Sequence, residues 1–279
     1  MNERRQGDVS SRPVNRIYGV DFSAAKDAGR RIWIAAGAVW GDTLRIERCG
    51  PAERLPDSGR GRDESLSALR TFVAGSGACA FGFDFPFGLP RALVRQDDWE
   101  PFVLSFPGEY ASPEAFRRSC RETAGGRELK RVTDREARTP FSPYNLRLFR
   151  QTYHGIRDLL HPWVRDRLAC VLPMQGAAAG RPWVLEICPA STLKARWDDL
   201  YVPYKGATHE RRVARERILD RLEVAGAVSI PDPAVRARVL DDDGGDALDS
   251  VIAAFATLEA LRDVDPADEA YLIEGYVYV

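Results

Sequence analysis

Residues 16–49 read RIYGVDFSAAKDAGRRIWIAAGAVWGDTLRIERC. Three β-rich runs lie inside this stretch: RIYGVDFS (16–23), RIWIAAGAVW (31–40) and TLRIERC (43–49). A polar turn around Lys26 to Arg30 separates the first two. Gly41-Asp42 separates the second and third, and a short Gly-containing turn between two such runs is a hairpin signal. A Pro-, Gly- and Arg-rich loop over 51–62 then leads into ESLSALRTFVAG, where Leu66, Leu69, Phe72 and Val73 recur at helical spacing until Gly75 and Gly77 stop them. ACAFGFDFP follows as a strand broken at Pro86. Three strands, a helix and a fourth strand in this order predict an α/β fold, with a mixed sheet flanked by helices.

Further along, the pattern loses its regularity. From Pro90 to about His161, prolines, aromatics and arginines mix without alternation, which predicts a helical and loop insertion at 90–167 after the fourth strand, with a helix from Tyr144 to Leu160. Residues 114–150 carry ten basic against five acidic residues, read either as a solvated face or as a patch facing an anionic substrate. Regular β structure is expected again at LACVLPM (168–174) and RPWVLEICP (181–189). A helix through Leu193 to Trp197 and a turn at Lys205-Gly206 come next. HERRVARERILDRLEV (209–224) follows, with Val213, Ile218, Leu222 and Val224 as its apolar stripe. DALDSVIAAFATLEALR (246–262) is apolar nearly all round and reads as a buried helix. YLIEGYVYV (271–279) reads as an edge strand or ordered extension. No repeat or linker divides the chain, so a single domain over 14–279 is expected, preceded by a flexible tail at 1–13.

Composition narrows the class. The 279 residues are 44% hydrophobic and 29% charged, with 40 basic and 41 acidic side chains. That is an ordinary globular mixture without the basic excess of a nucleic-acid coat protein. Five widely spaced cysteines, with no C-x-x-C pair, argue against a disulfide framework or zinc ribbon and for a reducing compartment. The N-terminus lacks a secretory apolar core and no run of about 18 apolar residues occurs. A soluble cytoplasmic protein with no membrane partner is the expectation.

Phosphate-binding and nucleophile motifs such as G-x-x-x-x-G-K-[ST], G-x-G-x-x-G, G-x-S-x-G and H-E-x-x-H are missing, and three histidines leave little for a His-based site. Carboxylates interrupting apolar strands are the salient feature. Asp21 follows Ile-Tyr-Gly-Val, Asp84 sits within Phe-Gly-Phe-Asp-Phe-Pro-Phe, and Glu186 within Trp-Val-Leu-Glu-Ile-Cys-Pro. An isolated buried carboxylate costs several kcal/mol unless paired or bound to a cation. If these strands are neighbours, their C-terminal ends form one acidic crevice, where open α/β sheets place ligands. Asp246 and Asp249, three apart on the first turn of the last long helix, face the same side. Converging carboxylates are most simply compensated by Mg²⁺ or Mn²⁺, and two such ions about 4 Å apart would serve a phosphodiester displacement. Two simpler roles stand beside this: Asp246 capping its helix, and Glu186 pairing with an arginine such as Arg181. The phenylalanines at 83, 85 and 87, and Trp33 and Trp183, read as core.

GVDFS (19–23), FGFDFPFGLP (81–90), VLEICPAS (184–191), DALDSVIAA (246–254) and EGYVYV (274–279) resemble the domain-of-unknown-function family 429, a group of predicted RNase H-like nucleases. QTYHGIRDLL (151–160) resembles a segment of its longer members. The order of acids also resembles that of Holliday-junction resolvases, in which a first-strand Asp, a fourth-strand acid and a D-x-x-D pair on the last helix bind the metals. Asp84 departs from that pattern, which has Glu there. The resemblance covers most of the chain and implies an RNase H-like fold and metal-binding roles for Asp21, Asp84 and Asp249, with Glu186 and Asp246 as further members.

The expected activity is a Mg²⁺- or Mn²⁺-dependent nuclease acting on DNA or RNA. Asp21, Asp84, Glu186 and Asp249 would be its catalytic acids; Asp21, Asp84, Asp246 and Asp249 its metal ligands; Lys26, Arg117, Arg118, Arg121, Lys130 and Arg131 its contacts to the phosphate backbone. A homodimer would suit a junction-cutting enzyme. A small-molecule phosphotransferase or ATPase of the same superfold is the alternative, disfavoured because VDFSAAKDAGRR has no second glycine next to Asp21 through which backbone amides could reach a phosphate. A catalytically silent binding module is the third reading.

Overall fold

In the computed structural model, residues 14–264 and 268–279 are described. The segment expected to be a flexible tail, 1–13, lies outside them. β1 (Arg16–Asp21), β2 (Trp33–Trp40) and β3 (Thr43–Pro51) form an antiparallel meander, with the short α1 (Ala28–Arg31) between the first two strands. Gly41 takes φ +59° at the first position of the two-residue turn that pairs Trp40 with Thr43, the conformation this hairpin needs and side chains resist. α2 (Arg62–Ala74) crosses to β4 (Ala80–Phe83), which lies parallel to β1 with Val20 opposite Phe83.

The chain then leaves the sheet through α3 (Trp99–Glu109), α4 (Pro113–Thr123), α5 (Val132–Glu136), α6 (Phe149–His154), a π-helical turn over Gly155–Leu160, and α7 (His161–Arg165). Sequence rules place several of these starts. Asp98 accepts from Trp99 N, and Ser112 accepts from Ala115 N just ahead of Pro113, so a short polar cap and a first-turn proline act where backbone N–H groups lack partners. The helix expected from Tyr144 begins only at Phe149. Asn145 instead closes turns with Ser142 and Leu148 and takes the Arg147 N–H on its own side chain, a local competition typical of asparagine.

β5 (Cys170–Val171) and β6 (Trp183–Ile187) return to the sheet, followed by α8 (Pro189–Arg196), α9 (His209–Val224), β7 (Val228–Ser229), α10 (Pro233–Asp241), α11 (Asp246–Ala260), α12 (Tyr271–Glu274) and β8 (Val277–Tyr278). The eight-stranded mixed sheet runs β5-β6-β4-β1-β2-β3-β7, with β8 pairing the end of β6. β7 and α10 carry no strong periodic signal and were not expected from the sequence. On α9 the apolar stripe is Ala214, Ile218, Leu219 and Leu222, whereas Val213 and Val224 are exposed.

Alternation along the strands splits the core. Tyr18, Val20, Phe81 and Phe83 pack with α2 and with Trp99, Phe102, Phe106, Phe116, Tyr153 and Trp163 of the segment after β4. Ile17, Ala35 and Leu44 point to the other face, under α9, α10 and α11. α11 can lie directly on the sheet because β1 and β4 present glycines to it. A Cβ on Gly19 would stand 2.0 Å from Ser250 O and 2.2 Å from Ala254 N, and one on Gly82 would stand 2.0 Å from Thr257 Oγ1. Among the described residues, no helix is long and apolar enough to cross a membrane.

Candidate active site

Parallel register builds the site. Val20 pairs with Phe83, so Asp21 ends β1 beside Asp84, which follows β4 and donates its N–H to Val20 O at 3.1 Å. Both lie one residue beyond that pair, on the face covered by α11. Gly19 and Gly82 let this helix approach closely enough to bring Asp249, in its first turn, to the same strand ends. Asp246 lies in the same first turn. It is Asp242, however, that accepts the Ala247 N–H at the start of α11 (2.9 Å), so Asp246 is released from capping.

Lys205 supplies the positive charge of the cluster from the α11 side. Its side chain is about half exposed, while its Nζ lies 2.6 Å from Asp249 Oδ2 and 3.5 Å from Asp246 Oδ1. The neighbouring Tyr204 donates its hydroxyl to Asp249 Oδ1. Buried Arg215 of α9 fixes the segment that carries both residues, donating to Leu240 O (2.8 Å), Tyr204 O (2.7 Å) and Gly206 O (3.0 Å). Gly206 N closes onto Asp243 O at 2.7 Å. The interaction of a distant helix with this loop leaves no mark in the local sequence, which shows only a turn at Lys205-Gly206.

The electrostatics follow from crowding like charges where water is scarce. Burial, and then the negative charge of Asp249, raise the Asp21 carboxyl well above the usual range, with Lys205 opposing. Burial and Asp249 likewise push Asp84 up to about 7, again against Lys205. Burial raises Asp246 with Lys205 working the other way. Burial disfavours the Lys205 ammonium, but Asp249, Asp21 and Asp246 outweigh it and hold that group charged above its ordinary range. Strongly shifted groups of opposite sign at the C-terminal edge of a sheet are a mark of functional sites.

Glu186 lines the same enclosed cleft as Asp84 and adds to the negative charge that Asp84 feels, but its carboxylate is engaged elsewhere. It pairs with Phe83 in the sheet. It accepts from Phe87 N at 2.8 Å and from both terminal nitrogens of Arg131. The partner is Arg131 rather than Arg181. Arg131 is only 1% exposed and also binds Asp134 (2.8 Å) and Glu274 O (3.2 Å). Glu186, Asp134 and Glu274 O together take up the Arg131 donors, so Arg131 offers none to a phosphate backbone, and Glu186 is held by Arg131 and Phe87 N rather than free to orient water, although both line the enclosed cleft beside Asp84. Lys130 donates to Thr139 O, Arg121 to Gly126 O (3.0 Å), and the Arg117 guanidinium lies 5.7 Å from the Phe149 ring centroid. Lys26 is exposed and lines a separate shallow cleft with Gly61 to Glu64. None of Lys26, Arg117, Arg118, Arg121 and Lys130 lines the clefts at the acids.

Two clefts meet at Asp84, Gln151 and Lys205. The open one, of about 450 Å³, is polar and includes Asp21, Ser23, Asp27, Arg31 and Asp246. The more enclosed one, of about 300 Å³, runs from Asp84 and Asp249 between Phe85, Phe141, Leu148 and Ala190, with Arg147 at its wall. Arg31 and Arg147 are the cations that sequence reasoning missed, since single arginines in a loop and a short helix carry no pattern.

Comparison with family models, with curated proteins and with solved structures returns no match. The geometry stands alone.

Proposed function

We propose that the chain is a metal-dependent hydrolase of phosphodiester bonds in nucleic acid, an RNase H-like nuclease related to the family its motifs resemble. One observation carries this reading: Asp21 and Asp84, neighbours at the ends of parallel strands, and Asp249, from the helix packed across them, converge at one sheet edge, where the Lys205 ammonium pairs with Asp249 and Asp246 and opposes the charge of all four. The order of these acids along the chain is the order on which the sequence resemblance rests.

The donor set consists of carboxylate oxygens only, the ligands that Mg²⁺ and Mn²⁺ take. Among the described residues no three acidic, His or Cys side chains already stand at metal-holding spacing, and the cation among them is Lys205. The set fits a hard divalent ion once that ammonium swings out on its half-exposed side chain. Asp21, Asp84 and Asp249 would hold the ion and Asp246 would border it. A bound ion there supplies charge stabilisation at the phosphate and a more acidic water. The protein's own groups do the rest. Tyr204 orients Asp249, Lys205 and Arg31 offer positive charge to the phosphate oxygens, and Asp84, pushed up to about 7, can hold or release a proton near neutrality.

The test is titration of Mg²⁺ and Mn²⁺ into wild type, Asp21→Asn, Asp84→Asn and Lys205→Met, alongside cleavage of single-stranded and duplex DNA and RNA. Binding and cleavage lost in both aspartate variants, with tighter ion binding in Lys205→Met, are the expected results. The presence of Lys205 favours one second reading, a binding module whose acids are already neutralised. Absence of ion binding in both wild type and Lys205→Met would select it.

A further inference from the structure

We propose that the enclosed cleft holds one unpaired nucleoside of the substrate, directly beside the phosphate that the acids face. This rests on the phosphodiesterase reading for its role, though not for its binding chemistry. The cleft has about 300 Å³ of space, at the lower end for small-molecule sites. That is room for one nucleotide-sized unit and not for a base-paired duplex, whose major groove alone is about 12 Å wide. Phe85, Pro86, Pro140, Phe141, Leu148 and Ala190 give it apolar walls for a base, while Arg131, Asp134 and Glu186, tied to one another, form a polar stretch of the same lining. The Phe141 ring is half-buried and carries the Arg147 guanidinium 5.5 Å from its centroid, so a ring face and a planar cation stand together, the combination on which bases stack without sequence preference.

Polar groups lie where the sugar and phosphate would follow. Gln151, shared by both clefts, donates its amide to Phe22 O, and its side-chain oxygen accepts no hydrogen bond among the described residues. Lys205, Asp84 and Asp249 mark the inner end of the cleft, and beyond Asp84 and Lys205 the open polar cleft with Arg31 and Ser23 begins. An unpaired nucleoside in the enclosed side therefore puts its phosphate at the junction, with the remaining chain leaving through the open side. The same chemistry describes a free nucleotide and the end or flipped base of a strand.

The experiment titrates adenosine, adenosine 5′-monophosphate, inorganic phosphate and a short single-stranded oligonucleotide into the wild type, Ala190→Trp and Phe141→Ala. Adenosine and inorganic phosphate are each run with EDTA and with Mg²⁺. Expected is saturable adenosine binding, with a Kd of about 1 mM or better, independent of Mg²⁺ and weakened at least about tenfold in Ala190→Trp, whose indole fills the cleft. Phe141→Ala, which only removes a ring, gives the same direction of change if the tryptophan variant does not fold. Tighter binding of the oligonucleotide than of adenosine 5′-monophosphate assigns the cleft to a strand; equal affinity assigns it to a free nucleotide. Adenosine binding without cleavage of any substrate would leave the cleft assignment standing and overturn the nuclease reading. No adenosine binding in the wild type, or binding unchanged in both variants, overturns the cleft assignment even if Mg²⁺-dependent cleavage is found.

Discussion

At Asp84 the fold works against ionisation. Burial and the nearby Asp249 carry the carboxyl from its usual 3.8 to about 7. Well below its ordinary value of 3.8 it is neutral in folded and unfolded chains alike. As pH rises through the interval up to 7, the unfolded chain gives up a proton that the folded chain retains, so stability falls across that window and stays low above it. Asp84→Asn is therefore expected to be more stable than wild type by about 2–4 kcal/mol at pH 8 and by much less at pH 4, read from urea unfolding at the two pH values. Arg131 behaves oppositely. It is a buried cation tied to Glu186 and Asp134, and Arg131→Met, which strands two carboxylates, should cost about 3–5 kcal/mol by the same measurement. Arg131→Lys should not restore it, because one ammonium cannot serve both partners with the planar fork of a guanidinium. Asp21 and Asp84 could be picked out of the sequence because a charge inside a hydrophobic strand is conspicuous. The identity of the partner of Glu186 could not, since Arg131 lies 55 residues away in sequence.

At the scale of elements, the contact between α11 and the β1–β4 pair decides whether the acids meet. Gly19 is the pivot. Its missing Cβ would fall within 2.2 Å of rigid helix backbone atoms, so Gly19→Ala must lift α11 from the sheet. A loss above the about 1–3 kcal/mol of ordinary overpacking is expected in urea unfolding, together with loss of divalent-ion binding as Asp249 withdraws. Gly77→Ala is the control: its φ is +66° with nothing within 4 Å, so it should cost only about 1–2 kcal/mol and leave ion binding intact. Elements with a strong period were legible. α11, α2 and the first three strands lie close to where hydrophobic spacing puts them. The helix expected from Tyr144 was shortened by the turn chemistry of Asn145. β7 and α10 escaped notice because a two-residue strand and a short capped helix are stabilised by their neighbours rather than by a pattern of their own.

Across the whole molecule, the C-terminal segment ties the long excursion after β4 to the sheet. β8 pairs with β6, Val277 N donates to Thr133 Oγ1 (2.9 Å), and the Glu274 carboxylate accepts from Arg91 N and Val132 N (both 2.6 Å). Deleting residues 275–279 removes buried Val277 and Tyr278 and is expected to lower stability by about 3 kcal/mol or more, or roughly 6–12 °C in Tm by thermal unfolding. By itself the sequence determined the α/β class, the meander-helix-strand order and the three aspartates of the cluster. Each of these follows from local periodicity or from a charge set among apolar neighbours, and both are written in consecutive residues. Only the tertiary structure decided that Glu186 is locked to Arg131, that Arg131 is buried, that Lys205 is the cation among the acids, and that two clefts join at Asp84. Those outcomes depend on strand register, on which sheet face a helix covers and on side chains far apart in sequence, and such long-range packing is set when the chain closes on itself.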